Sequence, residues 1–160
     1  MGRTIKLLFG IIFCFFIIVS LSFSFEVISH NLEYFLYKKE KLLWSFKIKE
    51  FIQKDEFSFE GKEVYVTSKN KGLKIKAKRA FYNKKEDKFI FKNNVYLITP
   101  KHEEIETQEL IFFPKKDLII TDKDVMVKKE DLIIKGKGLI YNTETENFQV
   151  KEKAKVQLKL

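Results

Sequence analysis

Little in this chain suits catalysis or covalent cross-linking. Its one cysteine, Cys14, stands inside an apolar run, so the rest of the chain can form no disulfide framework. The two histidines, His30 and His102, are far apart, and neither has a cysteine partner at metal-ligand spacing. No P-loop, dinucleotide fingerprint, G-x-S-x-G or H-E-x-x-H motif occurs. The adjacent acids Glu103 and Glu104 make a poor acid–base pair, because neighbouring residues of a strand point to opposite faces. With two prolines and six glycines, the composition is not that of a disordered linker. These absences predict no enzyme, no metal and no cofactor.

Charge is plentiful but mixed. Lys and Arg number 31 against 22 Asp and Glu, a net charge of +9. Arg3 and Lys6 precede the apolar run, and +9 less those two leaves +7 for the rest. Beyond that run Arg79 is the only arginine. Lysine and glutamate are interspersed, which reads first as a solvated outer face. A second use is attraction to anionic lipid headgroups or phosphates, for which lysine acts as a point charge. Nucleic acid is not an expected partner, since no recognition motif is present.

Residues Leu7 to Phe25 form nineteen positions without a charge. As a helix at about 1.5 Å per residue they span roughly 28 Å, close to the hydrocarbon thickness of a bilayer. Arg3 and Lys6 belong on the cytoplasmic side. The expected organisation is a cytoplasmic stub at 1–6, a transmembrane anchor at 7–25, a linker at 26–31 and one exported domain at 32–160. A cleaved signal ending near Ser20-Leu21-Ser22 is the alternative, although signal apolar regions usually run about 7–15 residues. Either way the domain is exported.

Beyond the anchor, apolar residues alternate with polar ones. Trp44, Phe46 and Ile48 begin it; Phe57 and Phe59, Ile75 and Ala77, Phe89 and Phe91 keep the beat. Period two over short runs marks strands with one buried face. Polar turn candidates separate the runs at 38–41, 69–72, 83–88, 92–94, 114–117 and 142–147. The pattern also repeats. An aromatic is followed thirteen residues later by a small aliphatic at Phe51 and Val64, Tyr82 and Val95, Phe112 and Val125, Tyr141 and Ala154. Successive starts are 31, 30 and 29 residues apart, so one supersecondary unit of about thirty residues recurs. The expected fold is an all-β antiparallel meander.

Seventeen phenylalanines make the inward beat strongly apolar. Trp44, Phe46, Ile48, Phe57, Phe59, Ile75, Phe89, Phe91, Ile105, Leu118, Ile120, Ile134, Phe148 and Val150 are the expected lining. Such a face fills a closed core. Left partly open, it is a groove for acyl chains. Alternation alone does not separate the two, and a secreted structural β-repeat protein with a closed core remains an alternative.

Leu32 to Tyr37, a turn through Lys38 to Lys41, and Leu42 to Phe51 form an opening hairpin. Ile75-Lys76-Ala77-Lys78-Arg79-Ala80-Phe81-Tyr82 is similar to a V-x-A-x-x-A-x-Y/L strand. Phe91 to Val95 is similar to L-x-G-x-V, with Asn93 at the glycine position. Glu106 to Leu110, Ile120 to Val125 and Ile134 to Tyr141 are similar to x-T-x-x-L, I-x-T-D-x-x-V and G-x-G-L-x-Y. Hairpin and motifs in this order resemble the LptC family of lipopolysaccharide-export proteins, with its LptA and OstA-type relatives, where glycine is usual in place of Asn93.

The resemblance implies a twisted β-jellyroll whose interior carries the acyl chains of lipopolysaccharide. It implies an inner-membrane ABC transporter as donor and an LptA-like periplasmic protein as acceptor. A soluble LptA-like bridge with a cleaved signal is the family's other branch. The last run places Ala154, Val156, Leu158 and Leu160 on one beat. An alternating strand running to the chain's end is either a lysine-protected edge or a docking edge for a homologous sheet. The resemblance favours docking.

Overall fold

The computed structural model describes residues 26–38, 40–53 and 55–158. The expected stub at 1–6 and anchor at 7–25 lie outside the described residues, as does Leu160. Among the described residues no helix is long and apolar enough to cross a membrane. Nine strands follow one another: β1 (Val27–Lys38), β2 (Lys41–Gln53), β3 (Ser58–Ser68), β4 (Leu73–Asn83), β5 (Lys88–Ile98), β6 (Glu104–Phe113), β7 (Leu118–Lys129), β8 (Leu132–Asn142) and β9 (Asn147–Leu158). Each pairs antiparallel with the next, giving one nine-stranded sheet in simple chain order. One helical turn, Pro114–Lys116, joins β6 to β7.

The stretch expected as a linker is mostly strand. Val27 pairs with Gln53 and Ile28 with Ile52, so β1 starts at Val27 and extends the domain through 26–31. Lys92 to Asn94, expected as a turn, lies within β5. Asn93 and Asn94 have φ of 65° and 54°, the left-handed region that asparagine tolerates better than most residues. That explains how asparagine can stand where glycine is usual. The β5–β6 register slips there, between Lys92 and Val95.

This slip belongs to a line of irregularities running across the sheet. The register also shifts in the β4–β5, β6–β7, β7–β8 and β8–β9 ladders. Asn31 in β1 and Glu63 in β3 have positive φ in the middle of their strands. Along β5, β6 and β7 the buried positions step by two, then by three or four, then by two again. Leu73, Ile75 and Ala77 are buried in β4, Lys78 and Arg79 are exposed, and Ala80 is buried. Gly61, Lys62, Glu63 and Val64 do the same in β3. Such bulges increase local twist and bend a strand.

The bending folds the sheet over on itself. Neighbouring strands lie about 4.8 Å apart, so in a flat sheet β2 and β6 would be about 19 Å apart. The Trp44 ring of β2 nevertheless sits 4.6 Å from the Phe112 ring of β6. Phe46 of β2 stacks at 4.6 Å on Phe89 of β5. Polar contacts join the two halves as well. Lys71, in the β3–β4 turn, pairs with Asp117 and lies 3.1 Å from Thr143 Oγ1 in the β8–β9 turn. Lys101 donates to the Glu146 carbonyl at 3.1 Å. Among the described residues no ladder joins β1 to β9, so both remain sheet edges.

Candidate functional site

The inner face of the folded sheet is one apolar surface built in transverse rows. Phe59 is opposite Tyr82, Tyr82 opposite Phe89, Phe89 opposite Phe112, Phe112 opposite Ile119, Ile119 opposite Tyr141, and Tyr141 opposite Phe148. Three of the four repeated aromatics thus fall on one row. Phe51 sits one row away, opposite Gly61. A second row runs from Tyr34 through Phe46, Val66, Ile75, Leu97, Ile105, Val127 and Ile134 to Val156. Each unit of about thirty residues is a hairpin that contributes two strands to every row.

Trp44, Phe46, Ile48, Ile75, Phe89, Phe91 and Ile105 are buried in this interior. Phe59, Ile134, Phe148 and Val150 are half-buried and pack against it. Three expected lining residues face elsewhere. Leu118 and Ile120 flank Ile119, and Ile119 is the buried one. Ile120 lies opposite Ile111 and Ile140 on the outer face. An unbroken Leu-Ile-Ile run gives period two no phase, and the ladder sets it through Phe112 and Tyr141. Phe57 precedes β3 and is exposed. The Asp55 carboxylate accepts from Phe57 N and Ser58 Oγ, both at 2.7 Å, and so turns the chain just before pairing begins. Lys85 covers the Phe57 ring, 4.2 Å from its centre.

The terminal strand differs from the others. The inward beat of β9 carries Ala154, Val156 and Leu158, yet Val156 is 61% and Leu158 71% exposed. The interior therefore runs out to an uncovered apolar margin along a free edge. The motif Gly136-Lys137-Gly138 shapes this margin. A Cβ on Gly136 would lie 2.4 Å from Val150 Cγ1, and Gly138 has φ +70°. Only glycine lets β9 approach β8 this closely.

Polar groups at the ends of the interior leave no signal in the alternation of the sequence. Glu103 is buried, with Thr99 Oγ1 donating to its carboxylate and Lys129 Nζ 3.4 Å from it. Such a pair holds position mainly by being satisfied, since a buried unpaired charge is costly. Burial, followed by the negative charges of Glu146 and Glu103, raises the Tyr141 phenol well above its usual value. Tyr82 is pushed up to about 12 by burial and then by Asp87. On the outer face, Tyr96 reaches about 12 through burial and its hydrogen bond with Glu104.

A phenol with a raised folded pKa contributes stability that is fully present below its ordinary 10.0 and is lost as pH rises through about 12. Tyrosinate absorbance should therefore lag the ordinary titration and then rise together with loss of β circular dichroism. Complete ionisation near the ordinary value with the sheet intact would contradict this packing.

Among the described residues no cluster of His, Cys, Asp and Glu suits a metal. A single antiparallel sheet folded around an apolar interior, with two unjoined edges, defines an open-edged β-jellyroll. A family model described as lipopolysaccharide-assembly, LptC-related, matches residues 25–159, and the chain belongs to that family. Its members are transport components, so the chain is not an enzyme and its role lies in lipopolysaccharide transport. Among solved structures the chain is similar to LptH of Pseudomonas aeruginosa, described as the LptA-homologous periplasmic component of the lipopolysaccharide transport device. The TM-score is 0.57 at 8% identity, over 86% of this chain and 96% of that one, a likeness of fold alone. A search of curated proteins gives no match.

Proposed function

We propose that this chain is the inner-membrane-anchored, periplasmic component of lipopolysaccharide export. Its domain receives lipopolysaccharide from an ABC transporter, holds the acyl chains inside the folded sheet and hands the lipid to an LptA-like bridge. The anchor is Leu7 to Phe25, and the handover edge is β9 with Ala154, Val156 and Leu158, continued by Leu160 beyond the described residues. The observation that carries this reading is the continuity of the apolar interior with an uncovered margin on an unpaired edge. Unpaired strand edges template the addition of another strand, which suits transfer between homologous sheets.

The interior is packed in this structure, with Phe46, Phe89 and Phe112 at 1% exposure or less. Acyl chains enter by parting the two halves, which are joined by side chains and not by a closed ladder. An entering chain replaces ring contacts with other apolar contacts, so much of the exposure cost is offset. Trp44, the only tryptophan, reports this directly from against Phe112. Lipopolysaccharide with brominated acyl chains should quench Trp44 emission, while the unbrominated lipid should not. Unchanged emission at saturating brominated lipid would sink the proposal. Membrane retention with an intact N-terminus is the expected state of the anchor; removal of the first two dozen residues would make the chain a soluble bridge.

A further inference from the structure

On the outer face, beside the β9 edge, the line of bulges leaves a depression of about 700 Å3. Lys135, Lys137, Lys153 and Lys155 stand around it. Lys135 and Lys155 are directly opposite each other in the β8–β9 ladder. Like charges directly opposite on one face of a sheet are destabilising. No ion pair engages Lys135, Lys153 or Lys155 among the described residues. The acids at the site are Glu106, held by Lys128 at 2.6 Å, and Asp124, opposite Lys137. The lysine charge is therefore in excess there. Tyr96 supplies a ring, and Asn94 and Gln108 supply amides.

Strand β9 separates two environments. Val156 and Leu158 present apolar side chains inward, and Lys153 and Lys155 border the depression outside. An anionic amphiphile straddling this edge would meet apolar surface with its chains and cationic surface with its head. The depression falls within the size range of small-ligand sites, about 300–1,000 Å3. An aromatic ring, two amides and several lysines suit a sugar carrying phosphate better than a bare anion, because lysine binds phosphate as a point charge while ring and amides contact the sugar.

We infer that this outer depression binds the phosphorylated saccharide headgroup of the lipid whose chains occupy the interior. The inference rests on the lipid-carrier reading, but its site lies on the opposite face of the sheet.

The test uses the full chain in detergent and soluble, fully deacylated lipopolysaccharide as probe, followed by titration calorimetry. The phosphorylated oligosaccharide should bind, and the same material stripped of phosphate should bind about tenfold more weakly or worse. A double variant, Lys135→Gln with Lys155→Gln, should lose about tenfold in affinity. The matched variant Lys69→Gln with Lys74→Gln, an equal change of charge elsewhere, should bind as the parent does. Quenching of Trp44 by brominated lipid should survive in the Lys135/Lys155 variant, which separates the headgroup site from the interior. Unaltered Trp44 emission verifies its fold. No binding by the parent, or equal binding by the Lys135/Lys155 variant, would overturn the assignment. So would inorganic phosphate binding as tightly as the oligosaccharide, or a polyglutamate peptide binding more tightly than it.

Discussion

Phe89→Ala is expected to cost about 3–5 kcal/mol, the range for truncating a fully buried aromatic side chain. Phe89 is 1% exposed and lies at the crossing of the two halves. Its ring meets Tyr82 at 4.4 Å, Phe46 at 4.6 Å, Phe59 and Phe91 at 6.2 Å, and Phe112 at 6.3 Å. Truncation removes the transfer free energy of the ring and leaves a void that rigid neighbours on two strands of the same row cannot fill. Aromatic pairs add about 0.5–1.5 kcal/mol beyond burial. Small domains hold about 5–15 kcal/mol in total, so the urea midpoint should fall far. Phe57→Ala, which removes an exposed ring, should cost less than about 1 kcal/mol. Similar midpoint shifts for the two variants would mean that the halves do not close on Phe89.

The second large effect belongs to a residue without a side chain. In Gly136→Val the new Cβ would stand 2.4 Å from Val150 Cγ1 and 2.9 Å from the Glu152 carbonyl oxygen. The carbonyl is backbone, so relief requires β9 to move away from β8. Overpacking of this kind typically costs about 1–3 kcal/mol. The structural consequence matters more than the energy, because β9 is held on one side only. Amide hydrogen exchange should accelerate in β9 while β3 to β6 stay protected, and capture of an LptA-like partner should weaken. Undiminished protection of β9 would show that the sheet absorbs the valine elsewhere.

These two residues illustrate what the sequence makes legible. Phe89 and Phe91 sit on a clean alternation, and their burial follows from period two alone. The repeated aromatics Tyr82, Phe112 and Tyr141 also mark their common row, since one hairpin per thirty residues returns the chain to the same place. Leu118 and Ile120 fail where three consecutive apolar residues carry no phase. The central bulges were visible only as doubled polar residues such as Lys62-Glu63 and Lys78-Arg79, which a reading by alternation takes for ends of strands. The polar run Lys92 to Asn94 resembles a turn for the same reason. The folding over of the sheet left no local trace, because Trp44 and Phe112 are 68 positions apart and nothing near either specifies the other. Gly136-Lys137-Gly138 could be matched as a motif, but its reason lies in Val150 and Glu152 on the next strand.

The functional account depends on the interior opening for lipid without unfolding. Its polar fastenings are few and lie at the turns: Lys71 with Asp117 and Thr143, and Lys101 with Glu146. The exposed Lys101–Glu146 contact contributes little, about 0–1 kcal/mol, and the Lys71 contacts are confined to a single point where turns meet. The ring contacts hold the halves together, and acyl chains can replace them.

The most direct measurement places a photo-crosslinking residue at Phe91, buried on the inner face, and separately at its neighbour Lys92 on the outer face. In membranes supplied with ATP and the transporter, Phe91 should capture lipopolysaccharide and Lys92 should not. Capture at Lys92 with none at Phe91 would contradict the carriage of acyl chains inside the folded sheet.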